Sequence, residues 1–142
     1  MATLKLEGFE DLQNAFQRIY DIPWPVQEEA LDRMAEVAAE EIRAQGERMG
    51  VRDPDSNVHI LDKIKRKKAK KTDSGGTEEI TFTGSRTRDG VRTRNAEIAF
   101  VNEYGKRNQR ARPFIGTAMT SKEEQISAPA EDVIGDWIEN NF

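Results

Sequence analysis

Apolar residues recur along this chain with two periods. Leu4 and Leu6 alternate with Lys5 and Glu7, which predicts a short strand ended by Gly8. Phe9, Leu12, Phe16 and Ile19 then fall at helical spacing and predict a short amphipathic helix over about 10–20. Ile22-Pro23-Trp24-Pro25 is extended, because a residue before proline is pushed out of the helical region, and Pro25 suits the first turn of the next helix. That helix is long: Val26, Ala30, Met34, Val37, Ala38 and Ile42 form its stripe, and Gly46 or Gly50 ends it. Residues 51–76 carry Pro, Asp, Ser, Asn, Lys and Gly, interrupted by Ile60, Leu61 and Ile64, and read as a mobile basic loop with a short turn or strand inside.

Thr77 to Gly84 alternates with Ile80 and Phe82 on one side, and Val91 to Val101 alternates with Ala96, Ile98 and Phe100; Asp89-Gly90 is the hairpin turn between them. A two-residue turn would set Phe82 opposite Glu97, whereas an odd loop with a bulge sets it against Ile98 or Ala96. We favour the odd loop, which also places Arg86, Arg88, Arg92 and Arg94 on a single face of the tip. Pro113 opens a helical region to about 126, and Pro129 opens a final helix with Val133, Ile134, Trp137 and Ile138 on one face. The expectation is one α+β domain over 1–142: an antiparallel sheet with a long basic hairpin, packed against two N-terminal helices and a C-terminal helix.

Composition narrows the chemistry. Charged residues are 34% of the 142, and Leu, Ile, Val and Phe together are about one fifth, so the core is lean. The absence of cysteine excludes a disulfide scaffold, a thiolate zinc site and a cysteine nucleophile. The single histidine, His59, has no nucleophile motif beside it, and near Asp53, Asp55 and Asp62 it reads as a solvated loop residue rather than a metal ligand. No glycine-rich phosphate loop or dinucleotide fingerprint is present, so the reading is of a non-enzyme without metal or cofactor. No stretch approaches a membrane span or a secretory leader, which predicts a soluble, unsecreted protein.

Charge is laid out in three blocks. Residues 1–62 hold 14 acidic and 6 basic side chains, 63–112 hold 6 and 15, and 113–142 hold 6 and 1, so a net −4 conceals a dipolar molecule with a partner for each sign. Glu28, Asp32, Glu36 and Glu40 fall every fourth residue and form one acidic line, either a solvated face or the seat of a basic partner that relieves like-charge repulsion of about 0.2–0.5 kcal/mol per pair. Lys63 to Lys71, with seven Lys or Arg in nine positions, is either a solvated loop or a contact for an acidic or phosphate partner; it lacks the aromatics that stack on bases. Trp24 either caps the core where helices meet or anchors a neighbour.

The segment Ala99-Phe100-Val101-Asn102-Glu103-Tyr104-Gly105, followed by Arg110-Ala111-Arg112-Pro113-Phe114 and then Ala118, resembles a motif of the small neck or tail-completion (head–tail joining) proteins of long-tailed bacteriophages. In that family a strand ends in an acidic residue, an aromatic and a glycine, and a short loop leads into the last helix. Gly8-Phe9-Glu10-Asp11-Leu12 is similar to the family's beginning. Lys106 stands where the family often has Thr, and Thr117-Ala118 where it has Pro-Ala. The resemblance implies a structural virion protein forming a ring, expected to be hexameric, at the head–tail junction, assembled in the host cytoplasm. Its partners would be further copies of itself, connector or head-closure proteins, tail-tube or tail-terminator proteins, and genomic DNA if the lumen meets it. Contact residues are expected among Trp24, Tyr104, Arg112 and Phe114, with the acidic line and the four hairpin arginines setting register. The alternative is a nucleic-acid-binding accessory protein using the basic loop and hairpin.

Overall fold

The computed structural model describes residues 22–51, 59–73 and 75–141. The expected first strand and first helix lie outside the described residues. The architecture is α+β. Helix α1 (Trp24–Arg48) is followed by a 3-10 turn (Ile60–Lys63), strands β1 (Ile64–Arg66), β2 (Lys70–Thr72), β3 (Gly75–Thr77), β4 (Ile80–Phe82), β5 (Ser85–Arg88) and β6 (Val91–Arg94), then helices α2 (Asn95–Tyr104), α3 (Phe114–Ser121) and α4 (Glu123–Asn141).

The strands do not merge into one sheet. They form three antiparallel ladders, β1 with β4, β2 with β3 and β5 with β6. Most of the segment expected as a loop is therefore built. Ile60 and Leu61 are buried and Ile64 packs beside them, so three apolar side chains pull a lysine-rich stretch onto the core while its charged ends stay in water. Ile64 pairs with Phe82, which corrects the expected pairing of Phe82 with Ile98 or Ala96.

Two further expectations fail for physical reasons. The second hairpin strand stops at Arg94, and the predicted strand residues Ala96, Ile98 and Phe100 belong to α2. Asn95, Ala99 and Asn102 are the buried residues of that helix, a helical stripe inside a segment that also alternates. With no strand beyond Arg94 to align, the turn is free to be tight. Ser85 to Arg88 pair with Arg94 to Val91 across a two-residue Asp89-Gly90 turn, not the odd loop, and both turn residues have positive φ, 52° and 81°. Pro129 stands inside α4 rather than opening a helix. The break lies at Lys122, and Ile126, Ala130 and Val133 give one buried stripe running past the proline.

The core is in two parts. One gathers Ile42, Val51, Ile60, Leu61, Phe82, Ala99, Phe114 and Ala118. The other joins α1 to α4 through Ala30, Ala130 and Val133, with Val26, Met34 and Ile134 at its edge. Small residues let these two helices approach closely, which is how a chain poor in large aliphatics still buries a continuous interface. Gly46 does not end α1 as one option had it; it lies inside the helix, and a Cβ there would meet Leu61 Cδ2 at 2.4 Å. Trp24 is half-buried, with its ring under Gly76 of β3, where a Cβ would sit 2.6 Å from Cζ3. It serves the subunit's own packing. Among the described residues no helix is long and apolar enough to cross a membrane.

Candidate functional site

The stretch from Ala99 to Ala118 folds as a helix–turn–helix joint rather than a strand leading to a helix, because Gly105 ends α2 with φ 77° and ψ 178°. Its N–H donates to Val101 O at 2.7 Å, and Lys106 and Gln109 exchange two backbone bonds of 3.0 Å beyond it. Buried Asn102 ties the turn down: its carbonyl accepts from Arg112 N, its Nδ2 donates to Ile98 O at 2.9 Å, and its Oδ1 accepts from Gln109 Nε2 at 3.4 Å.

Glu103 has a specific task. Pro113, at the N-cap of α3, offers no side-chain cap. The Glu103 carboxylate supplies it from α2, accepting from Ile115 N and Gly116 N at 2.8 Å each. Two orphan helix donors are thereby satisfied, and a negative charge meets the positive end of α3.

With acid, amide and glycine turned inward, the aromatics divide. Phe114 is fully buried and meets Phe82 edge to face with ring centroids 6.0 Å apart. It is a core residue, which corrects its assignment as an interface contact. Tyr104 remains 69% and Phe100 62% exposed, their rings 4.7 Å apart one helical turn from each other. Phe100 escaped the sequence reading because alternation placed it inward with Ile98.

The hairpin arginines do not share one face. The two-residue turn puts Arg86 and Arg88 opposite Thr93 and Val91, on one side, and Arg92 and Arg94 opposite Thr87 and Ser85, on the other. Arg86 and Arg88 line an open cavity of about 860 Å³ together with Arg112, Lys106 and His59. Glu97 is its only acidic lining residue. Arg112 Nη1 donates to Gly50 O at 2.9 Å. His59 is half-buried rather than solvated, and its Nδ1 is buried without a hydrogen-bond partner. On the opposite face Arg92 Nε donates to Ser85 Oγ at 2.8 Å, and Arg94 Nε to Glu97 at 3.1 Å.

The acidic line on α1 is met in part by the same chain. Arg66 of β1 donates from Nη1 to Asp32 Oδ1 at 2.8 Å, and Glu40 pairs with Arg43 at 3.0 Å. Glu36 is exposed. Glu28 and Asp32 line a second cavity of about 310 Å³ with Glu29, Lys68 and Glu78. Glu78 is the residue that sequence reasoning missed, although a signal was there: it lies two positions before Ile80, on the same side of the alternation as Ile80 and Phe82. Its side chain is only 2% exposed, and its Oε2 has no hydrogen-bond partner; Arg66 Nη1 stands 3.9 Å away.

Burial, then the Asp32 and Glu28 charges, raise the Glu78 pKa above its ordinary value against the lowering effect of Arg66. The folded chain thus holds this proton more tightly than the unfolded chain. The contribution to stability is full below the ordinary glutamate range and is lost as pH climbs through the raised value. Denaturant midpoints measured across that window should fall with rising pH in the wild type, and Glu78→Gln should flatten the decline. An unchanged slope would remove Glu78 from the account.

No protein-family model, curated protein or solved structure matches the chain.

The arrangement is suited to binding rather than bond-making. Among the described residues no group of three or more His, Asp or Glu is placed to hold a metal ion. What the site presents is an exposed aromatic pair on a rigid joint, a cationic groove beside it, and an acidic cavity near the start of α1.

Proposed function

We propose that this protein is a structural, non-catalytic virion subunit that assembles into a ring at the head–tail junction of a tailed bacteriophage. The observation that carries the reading is the joint. Every polar group of the resembling motif is spent on holding α2 against α3, while Phe100 and Tyr104 stand outside as a stacked pair. Exposed aromatics on a rigid support are the usual anchors of protein–protein contacts, since they bury large area at little entropy cost. A closed ring of identical subunits uses such an anchor once per contact.

Light scattering on the purified chain tests this, alone and with tail-tube or connector proteins. The wild type is expected at a multiple of its 16.1 kDa mass, with six copies as the expected ring. Phe100→Ser with Tyr104→Ser should abolish the higher species while changing subunit stability by no more than about 0.5 kcal/mol, as for surface positions generally. A wild-type chain that stays monomeric with and without those proteins would overturn the reading.

The cationic groove supports a second reading, a nucleic-acid-binding accessory protein in which Arg86, Arg88, Lys106 and Arg112 contact phosphates. It forecasts duplex DNA binding whose log affinity falls steeply with log salt, independent of Phe100 and Tyr104.

A further inference from the structure

We infer that the acidic cavity at the start of α1 is the receptor for a guanidinium from a second copy of this chain, that of Arg92. The inference rests on the ring reading and specifies its contact.

The receptor side is defined by Glu78. A carboxylate taken out of water needs a proton or donors, and Oε2 has neither a hydrogen bond nor a close cation: Arg66, the nearest, is committed to Asp32 and lies beyond hydrogen-bonding distance of Glu78. Around it stand Glu28, Glu29 and Asp32, and Lys68 is the only cation lining the same cavity. At about 310 Å³ the cavity is at the small end of ligand sites, so it admits one side chain or small ion rather than a folded element. The carboxylates' excess calls for a cation with several donors, and a planar guanidinium offers them in a fork that matches carboxylate geometry.

The donor side is on the hairpin. Arg92 is exposed on the face turned away from the cationic groove, and its Nε is fixed to Ser85 Oγ at 2.8 Å. That bond leaves two Nη groups without a partner among the described residues, already oriented for a bidentate contact.

These two surfaces cannot meet within one subunit. The cavity is lined by Pro25 to Asp32, at the beginning of α1, whereas the hairpin shares its groove with Gly50 and Val51, just beyond the end of that helix. A helix of 25 residues spans about 37 Å, so donor and receptor lie at opposite ends of the molecule. Complementary patches separated in this way join copies head to tail, and such contacts close into rings when the rotation allows.

Sedimentation of the full chain and its variants is the test. A receptor variant, Glu28→Gln with Glu78→Gln, and a donor variant, Arg92→Glu, should each weaken self-association by about tenfold or more. Circular dichroism and thermal melts serve as the folding control, and a second donor variant, Arg92→Ala, replaces the first if that one melts early. Mixing the two defective chains decides the geometry. Each retains one intact surface, so the mixture should form one-to-one dimers and nothing larger. Association of the wild type that is insensitive to either variant, or a mixture without dimers, overturns the inference while leaving the ring reading intact. Wild-type chains that do not associate overturn both. Calcium or magnesium binding to the isolated chain that is lost in Glu78→Gln would assign the cavity to a metal ion and overturn it as well.

Discussion

Phe114→Ala should destabilise the subunit by about 3–5 kcal/mol, a large part of what a domain of this size has in total. The side chain is fully buried, packs edge to face on Phe82, and sits in the larger core cluster between Ala99, Leu61 and Ala118. Its neighbours are short or already committed, so the structure has little with which to refill the space, and the cavity term adds to the lost transfer energy. Chemical denaturation followed by circular dichroism measures it. The same experiment separates core from contact: a Phe114 that acts through an interface would leave the isolated subunit's midpoint unchanged and lower only assembly, and that outcome would refute the core assignment.

Gly105→Ala is expected to cost about 3 kcal/mol or more. With φ at 77° and ψ at 178°, the backbone occupies a region that is essentially open to glycine alone, at a cost of about 1–3 kcal/mol for another residue. A Cβ would also come within 2.9 Å of both Ala111 N and Gln109 O, backbone atoms that cannot swing aside as a side-chain end does. Relief therefore requires the turn to open, which breaks the Arg112 to Asn102 bond and moves Glu103 off the start of α3. Melting temperature and amide exchange at Ile115 and Gly116 report the two halves of the effect. Unchanged protection of those amides in a stable variant would show that the joint tolerates the residue.

Long elements with one clear period were legible. Val26, Ala30, Met34, Ala38 and Ile42 specify α1 because a 25-residue helix samples its apolar stripe many times over. The segment from Asn95 to Tyr104 was not, since Ala96, Ile98 and Phe100 satisfy a strand while Asn95, Ala99 and Asn102 satisfy a helix. Ten residues do not separate the two periods. What arbitrates is distant: Asn95 donates from Nδ2 to Thr83 O at 2.7 Å, and Glu103 caps α3, both rewards that exist only when the segment is helical. The error then propagated, because the odd-loop register was chosen to serve a strand that does not form, and with it went the single face of four arginines.

The candidate site divides along the same line. Local chemistry determined by itself that Asp89-Gly90 turns a hairpin, that Gly105 stops an element, that catalytic constellations with cysteine are excluded, and that charge is segregated along the chain. These depend on a residue and its immediate neighbours. Tertiary structure alone decided that Phe114 is inside and Phe100 outside, that Arg92 and Arg88 face opposite ways, and that Glu78 is buried beside Asp32 and Glu28. Each of those follows from which distant element occupies the other side of the backbone. Burial is a property of the neighbours a fold supplies, and the buried carboxylate that defines the receptor cavity is made by packing β-strand residues against a helix more than thirty positions earlier in the chain.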